Sequence, residues 1–154
     1  MESTFVKKFA NDPKLANEFQ VGGDHYKLDY EHWDFVRDLR LDYFMGCITK
    51  YMCRDKGIPQ EQCEKACHFI RKRTEIIKAM PPKDWSTMRG THDMCGWWWP
   101  DQYEGRGNSE RIYRFCDQLD TRQSVVIHQI LQWDFKRGDQ REISLAITNV
   151  WLSK

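Results

Sequence analysis

Along the chain, apolar residues recur three and four positions apart, and no stretch alternates apolar and polar residues for long. The first spacing belongs to a helix face and the second to a half-buried strand, so the pattern predicts an all-α protein. All five prolines (Pro13, Pro59, Pro81, Pro82 and Pro100) stand where helices should start or stop. The spacing predicts a short helix within residues 3–19, a loop at Gly22–Gly23, and helices over about 30–39 and 41–55, the latter entered at Leu41–Asp42. After the turn "DKGIP", Pro59 takes the first position of a long helix that reaches Met80. Residues 81–107 carry no periodicity and are rich in Pro, Gly and polar side chains, the signature of a functional loop or lid. Helical spacing returns over about 108–119 and 121–136. Asp139 with Glu142 then forms a capping-box pattern before a last amphipathic helix to Leu152. The expected organisation is a helical core over 1–80, an irregular loop over 81–107, and a segment over 108–154 that packs back on the core.

The two central helices can be divided into faces by their turn of about 100° per residue. On 41–55, Leu41, Phe44, Ile48, Tyr51 and Met52 share one side, while Lys50 and Arg54 lie opposite with Tyr43 and Cys47, flanked by Gly46. On 59–80, Cys63, Ala66, Cys67, Ile70, Thr74 and Ile77 share a face, and Lys65, His68, Phe69 and Lys72 project from the other. The short link between them predicts an antiparallel hairpin packed through the aliphatic and cysteine-containing faces. Its cationic stripes then either converge at one edge or simply face water.

Composition narrows the classes. The chain has 154 residues, with 24 Lys+Arg against 23 Asp+Glu. A net charge of +1 disfavours a sequence-independent nucleic-acid coat, although Arg71–Arg73 forms a local basic run. No apolar run approaches the ~20 residues of a membrane span, and the first residues lack the apolar centre of a signal peptide. The expectation is a cytoplasmic protein with reduced cysteines. Seven Trp, six Tyr and eight Phe exceed what one small core needs, so a homo-oligomer is expected, with at least two of Trp97, Trp98 and Trp99 used for packing.

Candidate chemistry centres on two stretches, "GGDHYK" (22–27) and "ITKYMCRDK" (48–56). Their His, Tyr, Lys and Arg side chains all donate hydrogen bonds to phosphate, and paired glycines permit close approach of backbone to a ligand. No Walker-type glycine loop is present to do that work instead. "GRGN" (105–108) reads as a turn before a helix. The four cysteines of the central helices read as buried thiols and not as a zinc site, and no other metal or cofactor is indicated. "MCGWWWPDQY" (94–103) offers either stacking platforms or packing. His92, Asp93 and Asp117 are acid–base candidates without an evident partner.

In order and spacing, "DHYK", "GCITKYMCRDK" and "EKACHFI" resemble a small family found mainly in bacteriophages. Its pattern is an HY pair, a G-N-x-x-KY-x-x-R helix, and a D-L-x-KA-x-x-Y helix. The matching residues are His25 and Tyr26; Gly46, Lys50, Tyr51 and Arg54, with Lys56 following; and Lys65 and Ala66, with Phe69 at the aromatic position. The match spans about residues 22–72. Cys47 replaces the family's Asn, and Gln62–Cys63 replaces its Asp–Leu. The family includes a kinase of deoxynucleoside monophosphates that lacks a P-loop. The resemblance therefore implies nucleotide binding by His25, Tyr26, Gly46, Lys50, Arg54 and Lys65, the three cations also neutralising the transferred phosphoryl group. A protein that sequesters nucleotides without turnover is a second reading. An inhibitor of a host enzyme that uses its Trp-rich loop is a third.

Overall fold

The computed structural model describes residues 28–54, 57–81, 97–105 and 107–153. The expected helix within 3–19, the Gly22–Gly23 loop, and His25, Tyr26, Lys56, His92 and Asp93 lie outside them. The described residues form six α-helices and no strand: α1 (His32–Leu39), α2 (Tyr43–Cys53), α3 (Pro59–Ala79), α4 (Asn108–Cys116), α5 (Thr121–Gln132) and α6 (Gln140–Trp151). A single 3-10 turn covers Pro100–Gln102. The protein is all-α, as its periodicity requires.

Local chemistry explains most boundaries. Asp42 caps α2 by accepting from the Met45 N–H, and Pro59 opens α3. Between them Gly57 takes a left-handed φ of 75°, a conformation that disfavours any side chain. The reciprocal capping box lies at Asp120 and Gln123 on α5, whereas Asp139 caps α6 through the Arg141 N–H. α5 stops at Gln132, short of the expected 136, because the Asp134 carboxylate accepts from the Lys136 and Arg137 N–H groups and draws them into a turn.

Helices α2, α3, α6 and α5 pack in that cyclic order, with α1 and α4 paired alongside α2 and α5. The hairpin α2–α3 is antiparallel. Asp42, at the start of α2, pairs with Arg73 late in α3, while Arg54 at the end of α2 bonds Gln62 early in α3. α3 and α6 are also antiparallel, since Trp151 Nε1 donates to the Pro59 carbonyl at one end and Lys78 Nζ to the Gly138 carbonyl at the other. The cysteine face of α3 therefore meets α6, not α2: the Cys63 Sγ lies 3.3 Å from Thr148 Oγ1. Phe35 and Phe115 stack between α1 and α4, their centroids 4.1 Å apart.

Trp98 joins the two halves. It is 1 % exposed, its indole donates to the Leu131 carbonyl, and its backbone N–H donates to Asp42. Trp99 is buried as well, at 2 %. Arg73 is wholly buried and donates to both oxygens of Asp42 and to the Trp98 carbonyl. The third member of the basic run Arg71–Arg73 is thus a core ion pair, and only Arg71 and Lys72 face outward. No described helix is long and apolar enough to cross a membrane.

Candidate functional site

Antiparallel pairing of α2 with α3 brings the two central sequence blocks together around Tyr51. The Tyr51 ring stacks on Phe69 with centroids 5.8 Å apart. The Arg54 guanidinium lies 4.7 Å from the Tyr51 centroid, and Lys65 Nζ lies 6.0 Å from it. Both are cation–π distances, so a single ring collects a cation from each helix. Arg54 Nε donates to Gln62 Oε1 at 2.7 Å, and Gln62 is only 3 % exposed, so a rigid amide orients the guanidinium. Lys65 also lies 3.8 Å from Glu61, but both side chains are about half exposed and such a pair contributes little.

The cluster ends a continuous aromatic strip. Tyr43 meets Phe69 and Phe44 edge-on, and Phe44 stacks on Trp97 with centroids 6.0 Å apart. Phe44 and Tyr51 were expected in the core; both are half-buried at the edge of the hairpin, and Met45, Thr49 and Cys53 fill the interior instead. The reason is that α2 is flanked on three sides, by α1, α3 and α5, which moves its buried face away from the α3 edge. Tyr43, 71 % exposed, presents its ring to solvent.

The remaining expected residues divide. Lys50 is exposed, one turn before Arg54, on the flank turned toward α1. There its charge adds to burial in depressing the His32 imidazole from its ordinary 6.5 to about 4. Gly46 also faces α1: a side chain at this position would touch Val36 at 3.5 Å, so its smallness serves helix packing. Gly107 precedes α4, and Asn108 bonds the Gln102 carbonyl, consistent with "GRGN" as a turn.

Two polar contacts made by half-buried histidines had no signal in the sequence. Neutral His32 bonds Thr49 Oγ1 through Nε2 at 2.9 Å, and because Thr49 donates its own proton to the Met45 carbonyl, Nε2 is the protonated nitrogen. The Tyr103 hydroxyl bonds His128 Nδ1, with burial raising the phenol to about 12 and lowering the imidazole. Asp117, an acid–base candidate, is exposed at the end of α4, and its charge works against that lowering without overcoming it. Among the described residues no group of three His, Cys, Asp or Glu side chains could hold a metal ion.

Arg54 and Lys65 can together supply charge-assisted hydrogen bonds to an anion, beside rings able to receive a planar group. No protein-family profile matches the chain, and neither a curated protein nor a solved structure is significantly similar to it.

Proposed function

We propose that the chain binds a nucleotide at the Tyr51 face of the α2–α3 hairpin, its phosphate on Arg54 and Lys65 and its base along the Phe69–Tyr43 strip. One observation carries this reading: Arg54 and Lys65, eleven positions apart in the chain, place a guanidinium and an ammonium over the same tyrosine ring. An ordinary solvated helix face has no reason to converge in this way. Lys50 adds positive charge from the neighbouring stripe, and His25 and Tyr26 are the further donors implied by the phage resemblance. The activity implied by that resemblance is phosphoryl transfer to a deoxynucleoside monophosphate, for which these cations would offset the developing charge.

Sequestration without turnover is the second reading, and Gln62 favours it. A neutral amide fixes Arg54 without supplying the carboxylate that stands here in the family pattern.

Calorimetric titration with deoxynucleoside monophosphates and ATP tests the binding claim, with chromatography of the mixture and of ligand released from denatured protein to detect turnover. An Arg54→Ala/Lys65→Ala variant should bind at least about tenfold to a hundredfold more weakly, since each charge-assisted bond contributes roughly 1.5–3 kcal/mol. Arg54→Lys should also weaken binding, because an ammonium does not reproduce the planar fork. New products identify a kinase, and unchanged released nucleotide identifies a sequestering protein. Unaltered affinity in the double variant, with its helical spectrum intact, would remove this face from consideration.

A further inference from the structure

On the opposite side of α3, away from Tyr51, α3 and α6 border an open groove of about 570 Å³. Cys67 lines it and is half-buried, while Cys63, one turn earlier, is buried. Both thiols point at α6, with the Cys63 and Cys67 Sγ atoms 3.3 and 4.0 Å from Thr148 Oγ1. Arg71 and Arg141 approach the same groove from α3 and α6, and Leu145, 62 % exposed, forms part of its wall. Among the described residues neither arginine is engaged in an ion pair.

We propose that Cys67 is a nucleophilic thiol that forms a mixed disulfide with a small carboxylate-bearing disulfide, seated in this groove with its carboxylates on Arg71 and Arg141. The Cys67 thiolate attacks one sulfur of the incoming disulfide. A new S–S bond forms to Cys67, the original S–S bond breaks, and the departing thiolate leaves with the electron pair and takes a proton from water. Cys67 is oxidised and the departing sulfur reduced, so the small disulfide is the only oxidant required.

The surroundings divide the labour between the cysteines. Hydrogen bonds from the Cys63 thiol, and then from the Ser144 hydroxyl, hold Cys67 below the ordinary thiol range, against partial burial and the Glu64 carboxylate. Cys63 is raised by the same bond and by burial, so it keeps its proton. It supports the thiolate of its neighbour and is itself a poor attacker of the mixed disulfide. The charged and titratable groups at the groove are Glu64, His68 and Arg71 from α3 and Arg141 from α6.

The test is incubation of the full chain with oxidised glutathione, followed by peptide mass mapping. The expected product carries one glutathionyl group on Cys67, formed ahead of any on Cys47, the other half-buried cysteine of the central helices. Cys67→Ser should abolish it, and Cys63→Ala, which removes the donor, should slow it severalfold and move the pH–rate profile upward. Arg71→Ala/Arg141→Ala should raise the glutathione disulfide needed by about tenfold or more, while leaving the rate with uncharged hydroxyethyl disulfide unchanged. Labelling of Cys47 at an equal or greater rate would overturn the assignment of the nucleophile. An equal loss with both disulfides in the arginine variant would overturn the carboxylate seat.

Discussion

Replacing Arg73 with methionine takes a fully buried guanidinium out of the end of the helical bundle and leaves its partners behind. Asp42 loses the contacts at 2.9–3.3 Å that serve both of its oxygens, and the Trp98 carbonyl loses its donor. Breaking a buried ion pair from one side costs about 3–5 kcal/mol. Methionine fills most of the vacated space, and the Met45 and Trp98 N–H groups still reach Asp42, so about 3 kcal/mol is expected. That is a large share of the ~5–15 kcal/mol available to a domain of this kind. Asp42→Ser keeps the cap on α2 but leaves Arg73 buried without its counter-charge, for a loss of about 3–5 kcal/mol. The double variant holds no buried charge and should lose only about 1–3 kcal/mol, giving a coupling of roughly 3 kcal/mol or more. Equilibrium urea unfolding reads these values, with circular dichroism for the helices and tryptophan fluorescence for Trp98, whose backbone sits on the pair. The losses should be insensitive to salt, because ions do not screen a pair from which water is excluded. An Arg73→Met cost under about 1 kcal/mol, or strictly additive single losses, would refute the buried linkage.

Two further outcomes follow from the packing. Since the folded protein holds His32 near 4 against 6.5 when unfolded, the unfolded chain binds more protons between these values. Stability from this group is complete above pH 6.5 and is lost as pH falls toward 4, by about 2–3 kcal/mol. Urea midpoints across that window should fall less steeply in His32→Gln, which retains a neutral donor for Thr49; parallel profiles would rule out the titration. Gly138→Ala places a methyl group 2.6 Å from an indole carbon of Trp133 and 2.9 Å from the Asp134 carbonyl oxygen. A loss of about 1–3 kcal/mol is expected in the same unfolding assay, and an unchanged midpoint would show that the indole moves aside freely.

Helical periodicity, the position of Pro59, and the cap residues Asp42 of α2 and Asp139 of α6 were readable from residue order, because each depends on neighbours within one or two turns. So was the core face of α3, from Cys63 through Ile77, since a stripe at 3.6-residue spacing has one side to bury. The chain order could not reveal which helix covers which stripe. Cys63 and Cys67 face α6 and not α2, and Phe44 and Tyr51 sit at an edge, because α2 has neighbours on three sides. Nor could it distinguish Arg73 from Arg71 and Lys72. Three adjacent cations look alike until a carboxylate from 31 positions away and the carbonyl of Trp98 enclose one of them. The candidate face shows the same division. The sequence nominated Lys50, Arg54 and Lys65 by charge and spacing, but only the antiparallel packing of two helices could place Arg54 and Lys65 over the ring of Tyr51 and turn Lys50 toward α1. A cation's chemistry is local; the charges and rings it meets are set by contacts between residues far apart in the chain.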